Sequence, residues 1–323
     1  VAEESSQFAS QTAFSLKSGY RTQTYTYGQI FDCIRQCQGF FAVNGIQSGD
    51  RILLLSFNRP EYAIVVLTAL CTGVTIVPID YRTNEETVAK FIAATKPKII
   101  FTGKLFAPLF RNIHIKKIYL EDLVGAIANF PLALLTQNQK KDQLAAIMFT
   151  SGTTGEPKGT MISVGNLLAS IENTKKVISF PAGFRSLSIL PLSHVLELVV
   201  GMLMAYSYGC HIHYLERINS ITIIKALRRY HINGMAVVPQ MLRLMAANLE
   251  RTIIADGKLS SWQRGQELAG YLPKPLRRLL FVRIHKQLGG ELTFFACGSA
   301  PLELKLGKLW DRLGIDLLEG YGA

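Results

Sequence analysis

Cysteine is sparse in this chain, acidic residues are outnumbered, and no long apolar run goes uninterrupted. The five cysteines, Cys33, Cys37, Cys71, Cys210 and Cys297, are odd in number and lack the paired spacing of a zinc site, which excludes a disulfide scaffold. Buried free thiols in a reducing compartment are the expectation. No basic-then-apolar leader opens the chain, so no secretory signal is read. The two most apolar stretches, 63–79 and 187–208, are broken by Gly73 and Pro78 and by Pro191, His194 and Glu197. Lipid would make those breaks costly, and both stretches read as core.

Asp and Glu number 23 against 35 Lys and Arg, a formal charge of +12. The excess is uneven. Residues 221–291 carry twelve bases and four acids, including the pairs Arg228-Arg229 and Arg277-Arg278 beside apolar Leu279, Leu280 and Phe281. No helix-turn-helix, zinc or RNA-recognition pattern accompanies the charge, so nucleic acid is not an expected partner. Attraction to an anionic membrane surface or a polyphosphate ligand is. The expected location is cytoplasmic, with peripheral contact at the inner membrane surface.

What is present in quantity is core-forming material, 49% hydrophobic over 323 residues. Apolar strands alternate with helical patterns, as in parallel sheets covered by helices. Strands are expected at 51–57, 75–78, 99–102, 144–149, 187–190, 210–215, 235–238 and 292–297. Helices are expected from Pro60 to about Thr72, after a capping box at Thr83-Asn-Glu-Glu86, at 164–177, at 195–206, after Pro239, and from Leu302 to Leu313. Residues 129–142 lack clear periodicity and form the expected linker between two α/β parts, 1–142 and 143–323.

Between two apolar segments lies Phe149-Thr-Ser-Gly-Thr-Thr-Gly-Glu-Pro-Lys158-Gly159. Glycines at 152, 155 and 159 let the backbone approach an anion, Thr150, Ser151, Thr153 and Thr154 offer hydroxyl donors, and Lys158 offers a charge. The common nucleotide loop needs glycine, four residues, then Gly-Lys-Ser/Thr, and that spacing fails here. A phosphate-holding loop of another kind is the reading.

Thr150 to Gly159, followed by Thr160-Met-Ile-Ser163, closely resembles the signature of the adenylate-forming enzymes: acyl-CoA synthetases, peptide-synthetase adenylation domains and firefly luciferases. Three further segments match that family in order. Leu190-Pro-Leu-Ser-His194 resembles the loop where a His or aromatic residue gates the acyl pocket. Gly298-Ser299-Ala300-Pro-Leu302 resembles the segment lining the adenine and acyl pocket, and Leu318-Glu-Gly-Tyr321-Gly322-Ala323 the run whose tyrosine stacks on adenine. Thr26-Tyr-Gly-Gln29 and Gly49-Asp-Arg-Ile52 also look like the family.

The resemblance implies the layered α/β sheets of that family's large N-terminal domain, in two related halves, with the C-terminal domain absent. It implies ATP, Mg2+ and CoA, and activation of a carboxylic acid as an acyl-adenylate before thioester formation. Catalytic work falls to Thr153, Lys158 and His194. Nucleotide contacts fall to Thr150, Ser151, Gly152, Thr153, Thr154, Gly155, Lys158, Gly298, Ser299, Ala300, Tyr321 and Gly322. No protein metal ligand is assigned, because the family's Thr-Glu pair would follow Ala323. The expectation is an N-terminal fragment, inactive alone, of an active enzyme.

Ser193-His-Val-Leu-Glu197 offers no aspartate for an amino group, which disfavours an amino acid substrate. Residues 280–302 resemble the long-chain fatty acyl-CoA synthetase branch, and the Met-containing helix 239–249 could line an acyl tunnel, though its periodicity also suits an ordinary core helix. A medium- or long-chain fatty acid is the expected substrate. The alternatives are an acyl-AMP or aryl-acid ligase loading a carrier protein, and a catalytically silent nucleotide- or lipid-binding module.

Overall fold

The protein is described by a computed structural model covering residues 1–134, 139–150 and 158–320, with side chains throughout except that of Thr150. Along the chain the strands are β1 (Thr12–Ser18), β2 (Arg21–Thr26), β3 (Arg51–Leu55), β4 (Thr75–Pro78), β5 (Ile99–Thr102), β6 (Lys117–Tyr119), β7 (Leu144–Thr150), β8 (Lys158–Ser163), β9 (Arg185–Ser188), β10 (His211–Leu215), β11 (Gly234–Val237), β12 (Phe294–Cys297) and β13 (Asp316–Glu319). The chain divides into two compact units, 1–180 with 191–216, and 181–190 with 217–323.

The first unit holds a six-stranded sheet in the order β6-β5-β3-β4-β7-β8, parallel except for the antiparallel β7–β8 pair. In the same unit β1 pairs antiparallel with β2 and parallel with β10. All of β4 and β5 is buried and β3 is buried from Ile52 onward, which is why these segments read as continuous apolar runs and not as alternating ones. The second unit contributes β9, β11, β12 and β13, all parallel, in the order β13-β12-β11-β9.

The expected break at residue 142 is not where the units part. Ala146 of β7 pairs with Ile76 of β4, and β7 carries β8 with it, so the hairpin that holds the phosphate-loop sequence belongs to the first unit. The linker-like composition near 129–142 thus falls within one unit.

Local signals fix most helix ends. Pro60 opens helix Pro60–Thr72, and Gly73 closes it at φ 72°, a left-handed conformation that glycine adopts without a Cβ penalty. Helix Glu85–Thr95 has its cap one residue later than expected, at Asn84. Asn84 accepts from the Thr87 amide at 2.9 Å, so the predicted box on Thr83 gives way to a single Asn cap.

Stretch 63–79 is a helix leading into β4, and 187–208 contains the end of β9 and a helix with a π turn at Glu197–Met204. Among the described residues no helix is long and apolar enough to cross a membrane. The π turn accommodates Glu197, which is fully buried. A Cβ at Gly201 would come within 2.6 Å of a Glu197 carboxyl oxygen, so glycine there makes room for the buried side chain.

Candidate active site

The phosphate-loop sequence is anchored by its two flanking strands. Thr150 of β7 is the cross-strand partner of Lys158 of β8, and Phe149 is the partner of Gly159. Ser151, Gly152, Thr153, Thr154 and Gly155 lie outside the described residues; the structure gives the two points between which they run. Lys158 is exposed on the edge strand.

Below this point the packing is dense. The Phe149 ring stacks on Phe91 with centroids 3.9 Å apart and planes 21° apart, against a core that includes Leu53, Leu55, Val88, Ile100 and Phe110. A Cβ at Gly159 would stand 3.0 Å from Ile147 Cγ2 and 3.3 Å from the Phe149 ring. Glycine at 159 therefore lets β8 lie close over that pair.

His194 stands in the same unit and meets two residues that sequence reading passed over. Its Nε2 lies 3.2 Å from Asp80 Oδ2 and 3.4 Å from an Arg82 guanidinium nitrogen. Arg82 donates to Asp80 three times: from its backbone amide and Nε at 2.9 Å, and from Nη2 at 2.6 Å. Burial opposes ionisation of Asp80, but the hydrogen bonds from His194 and Arg82 outweigh it and hold the carboxyl well below its usual range. The loop backbone is fixed by Leu192 N donating to Asn58 Oδ1 at 2.9 Å and by His194 N donating to Pro191 O at 2.9 Å.

The available signal was Asp80-Tyr-Arg82 just past a parallel strand, the edge where open α/β sheets carry their ligands. Ile76 pairs with Ala146, so Asp80 and Thr150, each four residues further on, reach the same edge of the six-stranded sheet.

In the second unit, Gly298–Leu302 leaves the C-terminal end of β12. Gly298 N donates to Val237 O at 3.2 Å, Gly320 N to Cys297 O at 2.8 Å, and Leu302 N to Glu319 Oε1 at 2.9 Å. Ser299 has φ +67°, which a residue with a Cβ rarely adopts, and both Ser299 and Ala300 are exposed. Tyr321 and Gly322 lie outside the described residues.

The cysteines offer no nucleophile. Burial pushes Cys33 and Cys297 up to about 11 and Cys37 and Cys210 up to about 12. Such thiols stay protonated and unreactive at neutral pH.

Helix Pro239–Ala255 continues beyond the expected 239–249 and forms one wall of an apolar groove of about 200 Å³. Ile223, Ile224, Met241, Met245 and Leu249 line it, together with Arg228.

The basic segment is less free than its composition implied. Arg243, Lys258, Lys274 and Arg277 pair with Glu303, Asp256, Asp316 and Asp311, three of which lie beyond residue 291. Arg228 and Arg278 are turned to backbone carbonyls. Phe281 is buried against Trp262, whereas Leu279 and Leu280 are exposed.

With this geometry in view, comparison with known proteins is decisive for the family. A family model described as AMP-binding enzyme matches residues 1–323. The chain belongs to the AMP-binding enzyme family. Among curated AMP-binding relatives, a long-chain-fatty-acid–CoA ligase, FadD15 of Mycobacterium bovis, is 25% identical over 316 residues, covering 86% of this chain and 52% of its own. A 2-succinylbenzoate–CoA ligase of Bacillus licheniformis is 27% identical over 227 residues, covering 70% of this chain and 47% of its own.

This AMP-binding chain thus spans about half the length of the curated relatives it matches. The solved N-terminal domain of FACL13 from Mycobacterium tuberculosis superposes with TM-score 0.79 at 18% identity, covering all of this chain and 74% of that one. That likeness establishes the shared α/β fold.

Proposed function

We propose that the protein takes part in ATP-dependent activation of a carboxylic acid, a medium- or long-chain fatty acid, with transfer of the acyl group to the thiol of CoA. The family match over the whole chain is the observation that carries this reading, and the apolar groove in the second unit supports an acyl substrate. The acid's oxygen attacks the α-phosphorus of ATP, an O–P bond forms, and the bond to pyrophosphate breaks. The thiol sulfur then attacks the acyl carbon, AMP leaves, and the thiol proton goes to solvent.

The loop from Thr150 to Lys158 suits the first step by its donor set. Hydroxyls, glycine amides and one lysine hold phosphate oxygens and neutralise charge in line with the attack. Mg2+, a hard cation that takes oxygen ligands, would add charge neutralisation beside the loop's hydroxyls and Lys158. By the family resemblance, Gly298, Ser299, Ala300, Tyr321 and Gly322 are assigned to nucleotide contacts. His194 is assigned to the acid.

A carboxylate screen for ATP-dependent pyrophosphate release by the full-length protein tests this, with fatty acids of graded length, benzoates and amino acids in parallel. A benzoate preference would favour the aryl-acid reading, to which the 2-succinylbenzoate–CoA ligase relative lends weight. Nucleotide binding without release for any acid would favour a silent binding module.

The exposed Leu276, Leu279, Leu280 and Val282, with Arg283 and Lys286 nearby, support peripheral contact with an anionic membrane. Each basic residue near such a surface adds roughly 1 kcal/mol, and the pairing within the segment leaves fewer to contribute. Co-sedimentation that rises with anionic lipid and falls with salt is the expected outcome; no binding, or binding blind to both, refutes it.

A further inference from the structure

The cluster Asp80, Arg82 and His194 has an internal order that the family assignment does not explain. Asp80 Oδ2 is the acceptor nearest to His194 Nε2, at 3.2 Å, and an ionised carboxylate accepts hydrogen bonds and donates none. The ring nitrogen that faces it therefore carries a proton. The second N–H of Arg82 Nη2 could reach an unprotonated Nε2 from 3.4 Å, but a lone pair there would face the nearer carboxylate oxygen of Asp80 at 3.2 Å, which favours the proton on Nε2.

Arg82 closes around the same carboxylate with three donors, which fixes where Oδ2 stands. His194 is about half exposed, and Nδ1 makes no hydrogen bond among the described residues. The partner of one ring nitrogen sets the state of the other.

We propose that Asp80 is a positioning residue for His194, held in turn by Arg82, and that it fixes the Nε2–H tautomer so that Nδ1 presents a lone pair at the acid site. This rests on the assignment of His194 to the acid. The position then favours the S–H of the incoming thiol, a donor that an ionised fatty acid lacks.

The first test needs no activity. Nitrogen-15 spectra of the imidazoles in this chain, with His194 among the six histidines identified by its loss in His194→Gln, report the tautomer directly. The expected result is Nε2–H in the wild type and in Asp80→Asn, which keeps an acceptor, and a tautomer mixture in Asp80→Ala. A wild-type ring protonated on Nδ1, or an Asp80→Ala spectrum unchanged at His194, overturns the proposal.

The second test is a double-mutant cycle on pyrophosphate release by the full-length protein. Asp80→Ala is expected to lower kcat/KM roughly tenfold with wild-type His194 and to have no effect in the His194→Ala background, with Asp80→Asn restoring most of the loss. Equal losses in both backgrounds would mean that Asp80 acts on the fold and not through His194. A wild type that releases no pyrophosphate with any acid defeats the functional reading, and the nitrogen spectra still decide the tautomer.

Discussion

If the groove along helix Pro239–Ala255 receives the acyl chain, affinity must grow with chain length and then stop. Each buried methylene contributes about 0.8 kcal/mol, or roughly fourfold in affinity. Lengthening an acid by four carbons within the groove should therefore tighten binding by roughly two orders of magnitude. Beyond the length that fills about 200 Å³, further carbons stay in water and add little.

Met245 is the residue to perturb, because it lines the groove without belonging to the fully buried core, and Met241 sits one turn before it. Met245→Trp should bring the plateau to a shorter chain, and Met245→Ala should move it to a longer one, each with unfolding free energy within about 2 kcal/mol of wild type. Displacement of a fluorescent fatty acid from this chain by a graded series of saturated acids measures both shifts. A slope near zero across the series, or a plateau that neither variant moves, would refute the groove as the acyl site.

Lys158→Ala and Thr153→Ala in the full-length protein should each cost on the order of 3 kcal/mol in adenylation with thermal stability retained; unchanged pyrophosphate release in both would sink the phosphate assignment. Gly201→Ala places a methyl against the buried Glu197 carboxyl and should cost about 1–3 kcal/mol in urea unfolding. His285 is buried with Nε2 2.8 Å from Leu313 O; burial and nearby Arg278 lower its pKa, and the Leu313 contact only partly opposes them. A histidine kept neutral by the fold is protonated more readily when unfolded, so its contribution is complete above about pH 6.5 and is lost as pH falls from there through the lowered folded value. His285→Gln should flatten that part of the stability profile; an unchanged slope would contradict the reading.

Much of the fold was legible where one local rule governed a segment. Pro60 and Gly73 bracket a helix, and the buried parallel strands at 75–78 and 99–102 read as unbroken apolar runs because both faces are covered. What failed was the unit boundary. It depends on the pairing of Ile76 with Ala146, a contact between residues 70 positions apart that no local composition reports.

The same limit applied to the site. The string from Thr150 to Gly159 could be proposed for phosphate because its residues are adjacent, and its flanks Thr150 and Lys158 pair across two strands. Asp80 and Arg82 were missed because their partner His194 lies more than a hundred residues away. The basic segment was overestimated for a related reason: Glu303, Asp311 and Asp316 lie outside the stretch whose charge they offset.

The central claim is that this AMP-binding chain belongs to an enzyme that activates a carboxylic acid at the expense of ATP, and pyrophosphate release by the full-length protein tests it most directly. The account predicts release that requires both ATP and an acid, is greatest with fatty acids of medium or long chain, and falls sharply in Lys158→Ala. Release that is independent of any acid, or none with the whole panel of acids, would contradict it.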